Sequence, residues 1–410
     1  MNKAIKILLL FPALLGALTL RLLRPVIVIR LGGLDISRIG GMYFGDWHLS
    51  ERAAGIHDKK NFDIFYFTTI DNTICNRQWL KMWQRVLRTV PFGQLFHMIN
   101  RISRMLPGHQ AHILPMPRVR TVTDPAKQRL KCILANQKPN IAFTKEEERL
   151  GLQALKALGI PGEKPFICFH SRDAAYLNVK YPGISWSYHD HRDSSIGNYV
   201  PAVEDLVRRG YCAIRMGAVV KEKLSVTGPD IIDYAGHGQR TDFLDIYLGA
   251  KCEFFIASET GISIVPEIFR RPVVYTNWTP LGRISPWILN GLVIFKKFYS
   301  RQEKRPLTFS EIMDLEFGTP DTKDVFAKRN IDLIENTPEE IKDVVMEMED
   351  RLKGRWKSTD EDEPLQERFW GLWGPDRLKS PDLRIGARFL RQNQHLLDPG
   401  NREYARTALR

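Results

Sequence analysis

The sequence predicts an α/β fold built from two doubly wound parallel domains. Short apolar, strand-like runs alternate with helical segments, and they do so in two series separated by a connector at 107–140 that contains five prolines. Continuous apolar strands joined by helices are typical of parallel sheets covered on both faces. With 410 residues, the chain is long enough for two domains with separate cores. The 43% hydrophobic and 26% charged residues exclude a mostly disordered chain.

The first 24 residues are hydrophobic. An apolar run from Ile7 to Leu20 has lysines before it and arginines after it. The run is shorter than the roughly 20 residues of a spanning helix, and no small-residue cleavage site follows it. The sequence therefore predicts a membrane anchor over 1–24, lying in the interface or partly inserted.

A second membrane signal lies at 77–106. Large apolar residues such as Trp79 and Trp83 recur there at helical spacing, and basic residues occupy the opposite face. Basic amphipathic helices of this kind are typical of membrane-surface binding. The alternative is a pair of ordinary helices packed on a core. The net charge of +13 favours a polyanionic partner, namely nucleic acid, anionic lipid or a phosphate-bearing substrate.

Domain boundaries follow from these segments. We expect an N-terminal Rossmann-like domain at 25–140, opening with a strand at 26–31 and a glycine turn and carrying 77–106 as an insertion. A second Rossmann-like domain is expected at 141–300, and 301–410 is expected to be a helical C-terminal region. In the second domain, a capping box at Thr144 and Glu147 predicts a helix through 158. Strands are predicted there at 165–171, 211–216, 231–233, 252–257 and 272–275, and helices at 199–209, 242–249 and 261–269.

Polar residues follow three predicted strands of the second domain. Open α/β sheets bind ligands at the carboxyl ends of their strands, often with a phosphate on a helix N-terminus. Arg172 is a candidate clamp for a diphosphate, because a guanidinium can donate two parallel hydrogen bonds to phosphate oxygens. The alternatives are a structural turn, a surface arginine and simple helix capping. The candidate binding residues at the three strand ends are His170, Arg172, Asp173, Arg215, Ser258, Thr260 and Gly261.

Two carboxylates lie near the last of these ends. Glu259 and Glu267 are eight residues apart, about two helical turns, so both can lie on one side of an element and contact a ribose and a sugar hydroxyl. The nearby segment 181–199 is rich in His, Asp and aromatic residues, and His189 and Arg192 are candidate substrate contacts. The five cysteines are scattered, without metal-ligand spacing, so no metal site is predicted.

The first domain supplies candidate bases. Arg30 and Gly33 follow the opening strand, without the GxGxxG pattern of a dinucleotide site. Close-set glycines let a backbone approach a ligand. Asp35 and His48 are the candidate general bases, and Glu259 of the second domain joins them as a candidate catalytic residue. The alternative for each Asp is a helix cap.

Several phrases resemble those of GT-B-type glycosyltransferases. The phrase at 255–263, FIASETGIS, followed by RPVV at 271–274, is similar to heptosyltransferase-like enzymes, and His170-Ser-Arg172 resembles a fucosyltransferase-type motif. Glu259 and Glu267 resemble the acidic pair of other GT-B families. The phrases at 30–40 and 188–192 resemble a bacterial glycosyltransferase family associated with surface polysaccharides. The likenesses point to different stereochemical outcomes, so retention and inversion both stay open.

The resemblance, which covers about 25–285, implies a GT-B-like fold with two domains facing a cleft. It implies a nucleotide-sugar donor as co-substrate, a lipid-linked or saccharide acceptor, and no cofactor or metal requirement. With the two membrane signals, it predicts a peripheral or monotopic protein at the cytoplasmic face of the inner membrane. The cations look spread rather than striped and no nucleic-acid motif is present, so nucleic acid is not expected as a partner. The alternatives are a sugar-nucleotide epimerase and a non-catalytic membrane- or nucleic-acid-binding protein.

Overall fold

The protein, seen in a computed structural model, consists of two compact units. Unit 1 comprises Met1–Arg118 and Cys132–Lys145, and unit 2 comprises Val119–Lys131 and Glu146–Arg410. The structure describes residues 3–70, 73–114, 125–162, 164–284, 288–316, 323–374 and 382–399.

Unit 1 is built on a small parallel sheet. Its described elements are α1 (Lys3–Leu23), β1 (Val28–Asp35), α2 (Tyr43–Ala53), β2 (Asn61–Thr68), α3 (Arg77–Val86), β3 (Thr89–Val90) and α4 (Gly93–Arg104). The three strands lie in the order β1-β2-β3, and both pairings are parallel. Helices connect the parallel neighbours, as a β–α–β crossover requires.

The glycines predicted as a turn lie inside β1. A Cβ atom on Gly32 would lie 2.7 Å from Leu114 Cδ2, and one on Gly33 would lie 2.8 Å from the Tyr66 ring. The glycines therefore make room for neighbouring side chains of unit 1. The prediction that a ligand approaches Gly33 is therefore wrong, because the Tyr66 ring already occupies the space beside this glycine.

The N-terminal segment is part of unit 1. Ala13 and Ala17 of α1 are buried with Ile99 of α4 in one apolar cluster, and Gly16 lets the two helices approach closely. Arg21 donates to the carbonyl oxygen of Ser103 at 3.1 Å, at the end of α4. Among the described residues, no helix combines the length and apolar character needed to cross a bilayer. The prediction of 1–24 as a separate membrane anchor is therefore not supported.

The predicted membrane-binding face of 77–106 lies largely in the interior of unit 1. Trp79, Met82 and Trp83 of α3 are buried, and Met98 and Ile99 of α4 pack in the core with α1. An amphipathic helix hides its apolar stripe against the core of its own domain, and that is the case here. The alternative of ordinary core helices is thus the correct one for these apolar faces.

Unit 2 contains most of the remaining elements. Helices α5 (Pro125–Ala135) and α6 (Lys145–Ala157) contain two of the three unit boundaries. The elements that follow are β4 (Phe166–His170), α7 (Ala175–Lys180), α8 (Val200–Arg208), β5 (Cys212–Arg215), β6 (Ile231–Ile232), α9 (Asp242–Lys251), β7 (Phe255–Ala257), α10 (Ile264–Ile268), β8 (Val273–Trp278) and β9 (Leu292–Phe295). Each strand predicted in the second series is confirmed.

The C-terminal region also belongs to unit 2. Its described elements are β10 (Lys297–Ser300), β11 (Arg305–Pro306), α11 (Phe309–Glu316), α12 (Lys323–Lys328), β12 (Ile331–Ile334), α13 (Pro338–Leu352), α14 (Asp362–Gly371), β13 (Arg384–Ile385) and α15 (Ala387–Gln392). Strands β10 to β12 form an antiparallel sheet, and β13 joins the main sheet. The region predicted to be helical, 301–410, thus contains α11 to α15 but also the short strands β11 to β13.

The main sheet of unit 2 has seven strands in the order β13-β9-β8-β7-β4-β5-β6, and every pairing is parallel. The chain starts in the middle at β4, builds outward through β5 and β6, and then returns to the other side of β4 with β7. This is the doubly wound order in which the direction of winding reverses between two adjacent strands. Ligands of such sheets bind outside the carboxyl ends of the strands at this switch point, which here lies between β4 and β7.

Candidate functional site

The loops after β4 and β7 are tied together at the switch point. The backbone N–H of Arg172 donates to Ser258 Oγ at 2.8 Å, and Ser258 is fully buried. The serine hydroxyl thus fixes the backbone from which the Arg172 side chain extends. In the structure, Ser258 is hydrogen-bonded to the backbone of Arg172. That Ser258 also contacts a phosphate stays a prediction.

The Arg172 guanidinium is buried and only partly satisfied. The side chain is 7% exposed, and Nη1 donates to the carbonyl oxygen of His189 at 3.0 Å and to the Asp193 carboxylate. Nη2 is buried and has no hydrogen-bond partner among the described residues. Burial, followed by repulsion from Arg192, lowers the pKa of Arg172 to about 10. A buried N–H without a partner costs free energy, so an anionic ligand at Nη2 would be stabilised.

Lys296 brings a second cation to this side of the sheet. It directly follows β9, is 4% exposed, and donates from Nζ to the carbonyl oxygen of Asp193 at 2.5 Å. Burial, partly offset by the negative charge of Glu335 and reinforced by the positive charge of Arg172, lowers the pKa of Lys296 to about 8. Lys296 is not among the residues predicted from the sequence. Its position directly after an apolar strand could have identified it as a candidate site residue.

Arg192 contributes a third cation. Its Nη2 lies 2.7 Å from His189 Nδ1, and its Nη1 lies 3.5 Å from Glu259 Oε1. The His189 ring lies nearly parallel to the Trp186 ring, with a centroid distance of 6.2 Å. The structure thus brings together four predicted site residues: Arg172, His189, Arg192 and Glu259.

His191 lies in the same turn and is kept neutral. Burial, followed by repulsion from Arg192, lowers the pKa of His191 to about 4. Nδ1 lies 3.0 Å from the carbonyl oxygen of Tyr188, and Nε2 is buried without a hydrogen-bond partner among the described residues. A neutral imidazole can present Nε2 to a ligand as an acceptor when Nδ1 carries the proton.

The two predicted carboxylates do not share one element. Helix α10 begins at Ile264, so Glu259 lies in the preceding loop and only Glu267 is helical. The Glu267 carboxylate accepts a hydrogen bond from the Tyr275 hydroxyl. Thr260 Oγ1 is buried without a hydrogen-bond partner in the described structure, which is compatible with its predicted role in ligand binding. Gly261 is exposed, and α10 is too short for a helix N-terminus to define a phosphate site.

Three other predicted binding residues have partners within the fold. His170 Nδ1 lies 2.9 Å from the carbonyl oxygen of Met216, and burial lowers the pKa of its imidazole. Asp173 accepts from the backbone N–H groups of Ala175 and Lys221, each at 2.8 Å. Arg215 is buried with its Nη1 3.3 Å from Asp233. Arg215 thus has a structural ion pair, but its Nε is buried without a hydrogen-bond partner among the described residues, and its predicted contact with a ligand stays a prediction.

In unit 1, two of the predicted residues belong to a buried ionic cluster. Asp63 accepts two hydrogen bonds from Arg30, at 2.6 and 2.9 Å, and also pairs with Arg52 and with His48 Nε2 at 3.1 Å. Burial alone would raise the pKa of Asp63, but hydrogen bonds from His48 and Arg30 bring it well below its usual range. Arg30 is thus committed to Asp63 instead of a ligand.

The two predicted bases of unit 1 also have local partners. Burial lowers the pKa of His48, an effect that Asp63 partly offsets, so His48 is neutral near pH 7. The Asp35 carboxylate accepts from the backbone N–H of Ser37 at 2.9 Å and from its hydroxyl. Asp35 therefore closes a local turn and does not cap a helix, and the assignment of either residue as a base stays a prediction.

One cavity of about 450 Å³ lies where β4 and β5 begin, at the amino ends of the strands. It is lined by Tyr211, Arg209 and Glu349 among others, and its charges pair with each other: Arg209 bonds Glu349 and lies 2.9 Å from Asp350. We assign no function to this cavity, because its polar groups are satisfied. In the described ranges, no three His, Cys, Asp or Glu side chains are grouped to hold a metal ion.

The fold and the site together define an α/β protein with a doubly wound parallel sheet and a cationic, partly unsatisfied site at its switch point. No family model matches the chain, and no curated protein matches it. The chain is similar to the solved structure of a glycosyl transferase family 9 protein from Veillonella parvula, with 10% identity and a TM-score of 0.39 over 65% of this chain and 85% of that chain.

Two further solved structures are similar. The E. coli ADP-heptose lps heptosyltransferase II shares 10% identity at a TM-score of 0.35, over 65% of this chain and 90% of that one. The wall teichoic acid polymerase TagF shares 11% identity at a TM-score of 0.23, over 65% and 78%. With TM-scores below 0.5, these likenesses assign no activity to the chain.

Proposed function

We propose that this chain is a glycosyltransferase that transfers a sugar from a nucleotide-sugar donor to a lipid-linked or saccharide acceptor. The observation that carries the proposal is the buried Arg172 guanidinium at the switch point, with Nη2 unsatisfied and with Arg192 and Lys296 nearby. A diphosphate is the donor group that such a cluster would hold best, because it offers several anionic oxygens to guanidinium and ammonium donors.

The chemical role of the cluster follows from the bonds that change. The bond between the sugar C1 and the diphosphate oxygen breaks, and the diphosphate leaves with the electron pair. The acceptor hydroxyl oxygen forms the new bond to C1, and its proton passes to a base. Negative charge grows on the leaving diphosphate, so fixed cations beside it lower the barrier. Arg172, held by Ser258 and Asp193, is already oriented for this role.

Other parts of the mechanism rest on residues whose roles are proposals. Glu259, beside Arg192, is placed to accept hydrogen bonds from a ribose or sugar hydroxyl. Asp35 and His48 are proposed as proton acceptors if the reaction inverts the sugar. We also propose that the cations take over the charge neutralisation that a metal ion supplies in other transferases.

The donor class is testable by thermal shift. Purified full-length protein is heated with UDP, GDP, ADP, CDP and their sugars, with and without EDTA. A ligand that binds only the folded state raises the melting temperature by mass action. We expect one nucleotide to give a shift that EDTA leaves unchanged. No shift with any of them would reject the proposed donor site.

The product separates a transferase from an epimerase. With the nucleotide sugar that the thermal-shift screen identifies, a transferase releases the free nucleoside diphosphate and labels the acceptor. A sugar-nucleotide epimerase returns an intact nucleotide sugar with changed stereochemistry. Release of nucleoside diphosphate that depends on added acceptor would support transfer, and an epimerised nucleotide sugar would reject it.

The pKa of Lys296 predicts a pH dependence of nucleotide binding. With a folded-state pKa of about 8, Lys296 is charged at pH 7 and largely neutral at pH 9. A diphosphate needs the charged form, so we expect its affinity to fall about tenfold between these pH values. The stability of the fold changes with pH in the opposite sense to the affinity. The unfolded lysine keeps its proton up to its ordinary pKa, so this group favours folding as pH rises above about 8. Calorimetric titration at several pH values measures the affinity.

Two variants test whether Lys296 causes this pH dependence of nucleotide affinity. Lys296→Met removes the titrating group, so its affinity should be weak and nearly independent of pH in this range. Lys296→Arg keeps a charge throughout and should bind with little pH dependence. If Lys296→Met keeps the wild-type slope, another group controls binding.

A further inference from the structure

The outer face of α1 carries a row of exposed apolar side chains. Leu8, Phe11, Leu15 and Leu22 recur every three to seven residues, on the side opposite Ala13 and the rest of the buried face. Of the 20 large apolar residues that are exposed in the described part of the chain, 10 lie between residues 7 and 26. Soluble proteins seldom expose a contiguous apolar surface of this extent unless it meets a partner.

The positive charge of the chain is concentrated around the same helix. Residues 1–34 and 72–123 contain no Asp or Glu, and they hold 13 of the 60 Lys and Arg residues. The remaining 47 cations balance the 47 acidic residues, so these two segments account for the whole net charge of +13. The segments include α1, α3 and α4 of unit 1. The cations are therefore segregated along the sequence, which corrects the expectation that they are spread.

Exposed cations accompany the apolar row. Arg24 follows α1 directly, and Arg101 and Arg104 lie on the exposed side of α4, the helix that packs against α1. Beyond the end of α4, Met105 is also exposed. A helix with an apolar outer face and basic residues beside it has the composition of an element that lies in a membrane interface.

We propose that unit 1 docks on an anionic lipid bilayer through the outer face of α1, with the exposed Arg24, Arg101 and Arg104 facing the lipid phosphates. The helix lies on the surface and does not cross the bilayer. The proposal concerns binding only, so it stands or falls independently of glycosyl transfer.

Two other occupants fit the same face less well. A nucleic acid would be attracted to the charge, but it offers no apolar surface to bury the exposed leucines. A second copy would bury them, but it would bring two strongly positive units together at a cost in repulsion. An anionic bilayer satisfies both features, because its headgroups attract Lys and Arg while its acyl boundary accepts Leu and Phe.

Vesicle flotation tests the apolar contribution. Full-length protein is mixed with vesicles of phosphatidylglycerol and phosphatidylcholine in equal parts, or of phosphatidylcholine alone. We expect wild-type protein to float with the anionic vesicles, and Leu15→Gln/Leu22→Gln to bind them at least tenfold more weakly. The matched control is Leu152→Gln/Val179→Gln in unit 2, whose side chains are 56% and 65% exposed against 57% and 81% for the α1 pair. The control should bind like wild type.

A second pair of variants tests the charge contribution. Arg101→Gln/Arg104→Gln should weaken binding to anionic vesicles about tenfold, and added salt should have a similar effect. Lys304→Gln/Lys357→Gln removes the same charge from exposed positions of unit 2 and should bind like wild type.

Three results would overturn the proposal. One is failure of wild-type protein to float with anionic vesicles. Another is equal flotation of wild type and Leu15→Gln/Leu22→Gln. The third is a wild-type dimer in analytical ultracentrifugation that becomes monomeric in this variant while neither form floats, because a second copy would then cover the face. Nucleotide thermal shifts in the same variants show separately whether the proposed donor site is intact.

Discussion

Replacement of Arg172 by alanine is expected to lower turnover of the nucleotide sugar by about 10²–10³-fold, the usual cost of removing one fixed donor from a developing anion. The side chain holds its position through Asp193 and His189, so the unsatisfied Nη2 needs no reorganisation when charge grows on the diphosphate. The assay measures release of the nucleoside diphosphate from the donor that the thermal-shift screen identifies. Nucleotide affinity should also fall.

Arg209→Ala is the matched control for this loss. It removes another guanidinium paired with carboxylates in unit 2, beside the start of β5 rather than after a strand end. We expect near-normal turnover from it. Arg172→Lys keeps the charge but loses the planar fork, so its turnover should lie between wild type and Arg172→Ala. An Arg172→Ala protein that melts like wild type and turns over at the wild-type rate would refute the assignment.

A second large effect is expected in unit 1. Asp63→Ala should lower the free energy of unfolding of this unit by about 3–5 kcal/mol, because it leaves the buried Arg30 without its bidentate partner. The Asp63 pKa is depressed, so its contribution is present at neutral pH and is lost as pH falls below the ordinary range of a carboxyl group. Urea denaturation followed by tryptophan fluorescence measures the effect, since Trp79 and Trp83 lie in the core of this unit.

Asp332→Ala provides the comparison. Asp332 pairs with Arg301 at 2.8 Å, but both side chains are substantially exposed, and surface pairs contribute at most about 1 kcal/mol. Equal losses in Asp63→Ala and Asp332→Ala would mean that the cluster in unit 1 is not structurally important. A loss confined to Asp63→Ala supports the burial argument.

The second half of the chain was readable from sequence because its signals are local. A strand buried on both faces is a short apolar run, so β4, β5, β7 and β8 could be located from composition alone. The first half was misread for an equally physical reason. The periodic pattern of α3 is the same whether its apolar side meets a core or a bilayer, and only tertiary packing decides. The fit of Tyr66 over Gly33 is likewise a long-range contact that no local pattern reveals.

The parts of the candidate site that were predicted are those in which a charged side chain lies close to the end of an apolar strand. Arg172 and Glu259 each lie two residues after the end of an apolar strand, so their types and positions were informative. Lys296 was not predicted because a second lysine and another strand follow it. In sequence, two lysines between two strands resemble an ordinary solvated turn. The partners of Arg215 and Glu267, namely Asp233 and Tyr275, lie 18 and 8 residues away. Pairing at such distances is set by the register of the sheet.

The order of strands in the main sheet has a consequence for biosynthesis. Strand β9 pairs on one side with β8, and its other edge is covered by β13, about 90 residues further along the chain. While the chain is being made, that edge stays open until residue 385 has emerged from the ribosome. An uncovered strand edge is a template for pairing with other chains. Polypeptides that stop before β13 should therefore be prone to intermolecular strand pairing, even though every residue of the candidate site has already been synthesised.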